Sequence, residues 1–410
     1  MKNGNNPALF PEMVSRGGRD GILPSQEIRR MVAIGQISAT PEVPDSQIQP
    51  ASIDLRLGAV AYQVPASFLR GRSATFMTRV EEFVEGQIDL KQPTPALLDP
   101  GKVYIIPLVE RLNLPNDLHG VANPKSTTGR LDIFTRLITE HGDQFDRVPR
   151  GYKGALFVEV SPLTFSIRVR HLMKLNQLRF VRGNSASEPI RNGDLKEIAE
   201  EYHLVYNSTG EPRTAGIADG VEITVDLEGA GVVAYRARND RQRVIELDKT
   251  NYYDPEDYWE AIRPRHGHIT LAKGGFYLLA SKELVSVPLG YAAEMKERDS
   301  TMGEFRVHYA GFFDPGFGFG MRKDDIHGTK AVLEVRAYEV PIILEDSHVI
   351  GTLNYYRMAD VPDRVYGESS LNSSYQKQGL ALSKQFRRPS DADKTYRDSP
   401  SIPSSTALVG

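Results

Sequence analysis

The chain has 410 residues, a length typical of two domains rather than one. Apolar residues make up 40% of it and charged residues 25%, as in ordinary globular proteins, and the formal net charge is −3. This balance argues against a general basic field that would hold nucleic acid or an anionic membrane. The absence of cysteine excludes disulfides and cysteine-ligated metal sites.

We predict two domains between disordered ends. Residues 1–20 are rich in Gly and Asn, without the apolar stretch of a secretory signal, and residues 386–410 are polar and rich in Pro and Ser. No apolar run approaches the roughly 20 residues that span a bilayer, so a cytoplasmic protein without membrane contact is expected. The predicted order is a first domain at 21–190, a linker at 191–220 and a second domain at 221–385.

Helices are predicted in two places. Residues 24–35 combine a candidate cap, Ser25, with Ile28, Met31 and Val32 at helical spacing. Residues 194–202 form the short helix of the predicted linker. Elsewhere, short runs rich in Val, Ile, Leu, Tyr and Phe alternate with Gly, Pro or Asp turns, which is typical of strands in a sandwich or barrel. The clearest predicted strands cover residues 102–109, 156–160, 275–280 and 331–335.

The second half of the chain repeats the first. The matching positions lie 172 residues apart in the first pair, 173 apart from Tyr62 to Glu110, and 175 apart after a short insertion or deletion. They pair Ile53-Asp54-Leu55 with Val225-Asp226-Leu227, Tyr62 with Tyr235, Leu98, Gly101 and Tyr104 with Leu271, Gly274 and Tyr277, Glu110 with Glu283, and 155–160 with 330–335. We therefore expect two similar, mainly β domains with minor helices.

Residues 123–130 could bind phosphate. Lys125, Ser126, Thr127 and Arg130 bring two cations and hydroxyl groups into one short stretch, and a bidentate Arg suits phosphate oxygens. The same composition also fits a solvated turn.

Two carboxylates stand inside apolar strands. Alternation places Glu159 beside Phe157 and opposite Val158 and Val160, and Glu334 takes the equivalent position in the second copy. A carboxylate on a buried face is costly unless it is paired or used, although an inherited structural Glu would look the same.

Asp314 follows an apolar stretch in the turn Phe313-Asp314-Pro315-Gly316, which also fits an ordinary type I or II turn. Residues 374–379 could form a mobile polar flap or begin the tail. A P-loop is absent, and without cysteine the zinc-deaminase signature is absent too.

Together these motifs resemble the dCTP deaminase and dUTPase superfamily, in particular the double-length form of dCTP deaminase. The stretch 48–58 resembles the family's N-terminal strand signature, and 125–130 resembles its Arg-Ser-Ser-x-x-Arg loop, with Lys125 and Thr127 as replacements. Glu159 aligns with the family's catalytic Glu. Tyr366 and the segment with Gln376 and Gln378 resemble its C-terminal closing segment, one residue shorter than usual.

The resemblance implies a distorted jelly-roll (β-clip type) fold in both domains and active sites shared between domains of a homo-oligomer. It implies hydrolytic deamination of dCTP to dUTP without zinc, with Mg²⁺ on the triphosphate and the Glu as general base. Ser126 and Arg130 would stabilise the developing charge. Lys125, Thr127, Asp314, Tyr366, Gln376 and Gln378 would bind substrate, and dTTP is a candidate inhibitor.

The two copies depart from the family in opposite ways. The first lacks the Asp of the turn, reading Val148-Pro149-Arg150-Gly151, whereas the second keeps Asp314 but carries Asp299 in its 298–303 loop. We therefore predict a composite site in which the 125–130 loop faces Asp314 and Glu334. Glu159 with the 298–303 loop would then be a vestigial or structural pair. A dUTP or dCTP pyrophosphatase, a bifunctional enzyme making dUMP, and an inactive dNTP-binding scaffold are the alternatives.

Overall fold

In a computed structural model of the chain, the described residues run from 19 to 388. The gaps are 73–74, 184–187, 229–230, 239–242, 265–266, 298–304, 309–310, 321–326, 338, 369–374 and 377, and for 305–308 only the backbone is described. The predicted disordered ends lie outside this range except for residues 19–20 and 386–388.

The first domain is built from short, largely antiparallel strands with three helices. The helices are α1 (Ser25–Ala33), α2 (Phe76–Phe83) and α3 (Ser126–Gly129). The strands are β1 (Gly21–Ile22), β2 (Ile37–Ser38), β3 (Ile53–Arg56), β4 (Val60–Val64), β5 (Gly86–Asp89), β6 (Ala96–Leu98), β7 (Val103–Asn113), β8 (Leu118–Pro124), β9 (Ile133–Thr139), β10 (Arg147–Val148), β11 (Lys153–Pro162), β12 (Ser166–Val169) and β13 (Lys174–Arg182).

The second domain repeats this plan. Its helices are α4 (Asn192–Tyr202) and α5 (Pro255–Tyr258). Its strands are β14 (Val205–Tyr206), β15 (Val221–Thr224), β16 (Ala234–Ala237), β17 (Val244–Glu246), β18 (Trp259–Ile262), β19 (His268–Leu271), β20 (Phe276–Val285), β21 (Tyr291–Glu297), β22 (Phe305–His308), β23 (Phe312–Phe313), β24 (Thr329–Ala337), β25 (Ile342–Glu345) and β26 (Val349–Arg357). In the described parts of the chain, no helix is long and apolar enough to cross a membrane.

The sheets of the two domains correspond strand for strand. The order β5-β4-β7-β11-β9 in the first domain matches β18-β16-β20-β24-β22 in the second, and β13 and β8 match β26 and β21. Apolar residues of the facing sheets fill each core between them, as expected when strands alternate inward and outward side chains. This confirms the predicted class of two tandem, mainly β, jelly-roll-like domains with minor helices.

Most of the predicted repeat holds in three dimensions. Gly101 and Gly274 both end a turn with positive φ, and the Tyr three residues later accepts a neighbouring backbone N–H in each copy. One pairing is wrong. β3 and β15 pair with equivalent residues of β13 and β26, so Ile53 corresponds to Val221 rather than Val225. The likeness of Ile53-Asp54-Leu55 to Val225-Asp226-Leu227 is a coincidence of composition.

The predicted linker belongs to the second domain. Helix α4 buries Leu195 and Ile198 in the second core, and β14 pairs with β20. The tail also begins later than predicted, because Phe386 is 2% exposed and Arg387 donates its backbone N–H to the carbonyl of Tyr253 at 2.9 Å. Helix α1 lies at the predicted place, but Ser25 is its first residue and donates to Asp363 rather than capping it.

The domains join across an extensive junction. β17 of the second domain pairs in parallel with β12 of the first, so one small sheet spans both. Arg179 of the first domain forms a buried ion pair with Glu294 of the second at 2.8 Å, and Asn123 donates to the same carboxylate at 2.9 Å. This fixed relation between the domains positions the cavity described next.

Candidate active site

A cavity of about 520 Å³ opens where the two domains meet. Its walls come from both copies of the repeat: the 125–130 loop from the first domain, and Asp314, Glu334 and Tyr366 from the second. Apolar side chains such as Val332 and Phe317 complete it. A concave, partly apolar space with a few convergent charged groups is typical of a small-molecule site.

The 125–130 loop turns sharply from β8 into the short helix α3. The Thr128 hydroxyl donates to the carbonyl of Leu175 at 2.9 Å and anchors the helix to β13. Ser126 and Thr127 line the cavity beside this anchor. Arg130 is 3% exposed, donates to the carbonyl of Ala381 at 3.0 Å, and its guanidinium lies 3.7 Å from the centre of the Tyr375 ring. Stacking and a hydrogen bond therefore hold the guanidinium in one orientation.

Two lysines of the cavity share one carboxylate. Lys125 forms an ion pair with Asp54, and Lys174 lies 3.9 Å from the other Asp54 oxygen. Burial lowers the pKa of Lys174, an effect that the Asp54 charge opposes and that Lys125 reinforces. Since Lys384 also lines the cavity, three lysines and Arg130 can meet a polyanionic ligand there.

Glu334 brings a carboxyl group to the opposite wall. It stands on β24, where it pairs with Leu278 of β20, and its side chain lines the cavity while only 6% of the residue is exposed. Burial raises the pKa of Glu334 to about 8, against the opposing effect of the Arg130 charge. A carboxyl group whose pKa lies near neutrality can both accept and donate a proton.

Asp314 lies in the turn after β23. Its Oδ1 accepts the backbone N–H of Ala51, at 3.0 Å, from the first domain's 48–58 stretch. Burial raises the pKa of Asp314 to about 7, with smaller effects from that hydrogen bond and from Lys125 in the opposite direction. The turn therefore joins the domains and presents a carboxyl group to the cavity.

The C-terminal segment closes one side of the cavity. Tyr366 lines the wall, and burial raises its pKa. Gln378 reaches the cavity and donates to the carbonyl of Lys330 at 3.1 Å, whereas Gln376 exchanges hydrogen bonds with the backbone of Gly316 and Gly318 and is not part of the wall. Of the two predicted glutamines, the structure brings only Gln378 to the cavity.

Glu159 lies away from this cavity. It is 1% exposed, pairs in register with Arg136 on β9, and accepts from that guanidinium at 2.8 Å. Arg136 in turn stacks on Phe145 at 3.6 Å. As the alternation predicts, Phe157 lies on the same face, where it packs against Phe76 of α2. The first domain's own residues therefore fill the space beside Glu159; the 298–303 loop predicted to face it lies outside the described residues.

Some residues of the cavity had no clear signal in the sequence. In the sequence, Asp54 stands out only within the repeat and the 48–58 signature, and Tyr375 only within a polar segment, although both contact the 125–130 loop. Lys174, Lys384 and Gln385 reach the cavity from distant parts of the chain. A single sequence cannot reveal such contacts, because they depend on how the two domains and the C-terminal segment meet.

Comparison with known families gives two successive matches. Residues 19–184 match the model of the 2'-deoxycytidine 5'-triphosphate deaminase N-terminal domain, and residues 191–386 match the model of its C-terminal domain. Together these models cover most of the chain.

Individual proteins agree with these matches. The chain is 29% identical over 169 residues to dCTP deaminase of Natronomonas pharaonis, and the aligned region covers 41% of this chain and 83% of that protein. It is 27% identical over 190 residues to "dCTP deaminase, dUMP-forming" of Dictyoglomus thermophilum, covering 44% and 89%. The crystal structure of 2'-deoxycytidine 5'-triphosphate deaminase from Agrobacterium tumefaciens superimposes with a TM-score of 0.75 at 41% identity, covering 83% of this chain and all of that one.

Proposed function

The chain belongs to the dCTP deaminase family, whose reaction it catalyses, and from that premise we propose that it releases ammonia and dUTP at one composite site per chain. The observation that carries the proposal is the shared cavity. Glu334 of the second domain and Ser126 to Arg130 of the first line the same space, whereas Glu159 is neutralised elsewhere.

In the proposed reaction, Glu334 takes a proton from a water molecule that attacks C4 of the cytosine ring. The addition places charge on the ring and on the attacking oxygen, which the Ser126 hydroxyl and the Arg130 guanidinium stabilise. Glu334 then passes this proton to the amino group, the C4–N bond breaks and ammonia leaves. The remaining proton of the attacking water moves from the C4 hydroxyl to N3, which gives the C4 carbonyl of uracil. A pKa near 8 suits a group that must accept a proton and return it.

We assign the substrate's other parts by charge and position. Lys125 and Lys174 meet the triphosphate, while Thr127 and Gln378 contact the nucleotide from the loop and the C-terminal segment. Asp314 and Tyr366 hold the sugar. Mg²⁺ enters with dCTP on its phosphates. The mechanism requires no zinc, because Glu334 supplies the base and the chain has no cysteine.

The roles of the two glutamates can be separated by matched substitutions. In Glu334→Gln, we expect kcat for dCTP to fall by about 10²–10⁴, the usual contribution of a general base. In Glu159→Gln, which changes the same group at the equivalent strand position, we expect kcat to stay within about twofold, since the side chain is remote from the cavity. Full activity of the Glu334 variant would overturn the assignment.

A second candidate, a deaminase that also cleaves the triphosphate to give dUMP, is favoured by Asp314. Its turn resembles the dUTPase motif whose Asp activates water, and it lines the same cavity. One assay with dCTP and Mg²⁺ distinguishes the two functions by measuring ammonia and pyrophosphate together. We expect ammonia without stoichiometric pyrophosphate, loss of activity with EDTA, recovery with Mg²⁺ and no response to a zinc-selective chelator. Equal release of ammonia and pyrophosphate would support the second candidate. Adding dTTP to the same assay tests whether dTTP inhibits the enzyme.

A further inference from the structure

The C-terminal segment crosses from the second domain to the first domain's loop. We call its described residues, 375, 376 and 378–388, the strap. The Tyr375 hydroxyl lies 3.1 Å from the hydroxyl of Thr127, and Ser383 donates to the Thr127 carbonyl at 3.2 Å. Arg130 donates to the carbonyl of Ala381 at 3.0 Å. The strap therefore contacts two residues that the proposed reaction uses.

The far end of the strap is held by one buried ring. Phe386 is 2% exposed and lies in a pocket of three aromatic side chains, which we call the aromatic socket: Tyr253, Tyr258 and Trp259. The ring of Phe386 is centred 5.4 Å from Tyr258 and 6.0 Å from Trp259 in edge-on arrangements, which are favourable for aromatic pairs.

Backbone hydrogen bonds secure the chain on either side of this ring. The N–H of Tyr253 donates to the carbonyl of Gln385 at 3.0 Å, and the N–H of Arg387 donates to the carbonyl of Tyr253 at 2.9 Å. The side chain of Gln385, fully buried, donates to the carbonyl of Leu247 at 2.9 Å. The strap is thus fixed at residues 385–387.

The aromatic socket is itself part of the domain junction. Phe165 of the first domain packs against Trp259 at 5.5 Å, and the Tyr258 hydroxyl donates to the carbonyl of Val244 on β17, the strand that pairs with β12. A strap fixed there is held against both domains at once. By contrast, Gly379 is exposed, and a Cβ added there would meet no atom within 4 Å.

We propose that Phe386 is a positioning residue for dCTP binding. Docked in the aromatic socket, it holds Ser383 and Ala381 where they bond to Thr127 and Arg130, so the binding surface is already ordered before the nucleotide arrives. Such preorganisation strengthens binding because less conformational freedom remains to be lost. This inference rests on the proposed function. It extends the site to the ring of Phe386, which acts through the strap and not by touching Thr127 or Arg130.

The chain offers a direct reporter, because Trp259 is its single tryptophan. We would compare the full-length chain with Phe386→Ala, with the conservative Phe386→Leu, and with Tyr252→Ala. Tyr252 serves as the control because it is 55% exposed and its ring packs on the outer side of the socket, edge-on against Tyr253 at 5.0 Å, whereas Phe386 fills the inside. Each variant would be measured by tryptophan emission, thermal unfolding, equilibrium dialysis with dCTP and steady-state turnover.

For Phe386→Ala we expect red-shifted Trp259 emission and a rise of about tenfold or more in both Kd and KM for dCTP. We expect kcat to stay within about threefold, since Glu334 and Ser126 are held by β24 and α3 and the Arg130 guanidinium keeps its stacking on Tyr375. Such a split marks lost binding rather than lost chemistry. Phe386→Leu should recover most of the affinity, and Tyr252→Ala should match the original chain.

Unchanged emission, or unchanged Kd and KM with shifted emission, would overturn the proposal. So would a fall in kcat at constant KM. If Phe386→Ala does not fold, the same comparison is made with Phe386→Leu, for which an intermediate emission shift and an intermediate rise in Kd are expected. If the original chain binds dCTP but does not turn it over, the proposed function is refuted. The binding and fluorescence measurements would then still test the role of Phe386.

Discussion

Glu159 and Glu334 share a strand position but not an environment. Glu159 faces Arg136 directly across the β11–β9 pair, so its negative charge is met within the domain. Glu334 is buried at a cavity wall, and the Arg130 charge only partly offsets the cost of burial, so its pKa rises to about 8. The same residue type at equivalent strand positions thus has two different environments, because the charged groups around it differ.

The raised pKa of Glu334 has a consequence for stability. A carboxyl group whose folded pKa lies above its unfolded value stabilises the fold below pH 4–5, and this contribution is lost as the pH rises through about 8. The raised pKa of Asp314, about 7, affects stability in the same direction. Because Asp314 is present in the original chain and in the Glu334 variant alike, its effect cancels when the two are compared.

We therefore expect Glu334→Gln, although inactive, to unfold at a higher temperature than the original chain at pH 9, by on the order of a few degrees. At pH 5.5 the difference should be about a third as large, because Glu334 is then protonated in the folded chain and the loss has only begun above the unfolded pKa of about 4.5. Thermal melts at several pH values measure the difference. A difference that is constant with pH, or that shrinks toward pH 9, would show that Glu334 is not buried as an acid.

At the scale of elements, strand β24 links the cavity to the domain junction. Glu334 and Arg336 lie two residues apart and share a face, and Arg336 forms an ion pair with Asp132 of the first domain. Asp132 is fully buried, follows α3 closely, and also accepts from Thr164. The pair therefore ties the strand that carries Glu334 to the loop that carries Arg130.

Asp132→Asn tests this tie with little change in shape, and Asn tolerates the positive φ of that position. We expect a loss of about 2–4 kcal/mol in the free energy of unfolding, because the partly exposed Arg336 loses its fully buried counter-charge. The catalytic efficiency should also fall, by about tenfold, as the two walls lose their alignment. Urea unfolding and dCTP kinetics measure both, and a variant as stable as the original chain would contradict this role.

The elements show what a single sequence can predict. Period-two alternation and turn residues located the central strands, because these features are local. The positions of 125–130, Asp314 and Glu334 in one cavity followed from comparing both copies with the family that they resemble. By contrast, the true register of β15, the packing of α4 and the burial of Phe386 depend on partners far along the chain, which local pattern does not encode. The same holds for Lys174 and Tyr375 in the cavity.

At the scale of the whole molecule, the two domains meet head to tail. The 125–130 side of the first domain contacts the Glu334 side of the second, and β17 covers the edge of β12. In the second domain, β25 is the equivalent of β12. It pairs with β19 alone among the described strands, and Ile343 is 58% exposed on it. Two domains that meet head to tail leave one such surface without a partner in the same chain. This favours assembly with further copies of the chain.

We accordingly predict that several chains assemble, with the free edge of β25 covered by another copy. A charge on an exposed edge strand opposes such pairing. Ile343→Lys should therefore shift the mass measured by light scattering after gel filtration toward that of a single chain at micromolar concentration. Ile34→Lys is the matched control, because Ile34 is 59% exposed on the first domain, beside α1 and away from this edge. Equal masses for both variants and the original chain would place the contact elsewhere, and a monomeric original chain would refute assembly altogether.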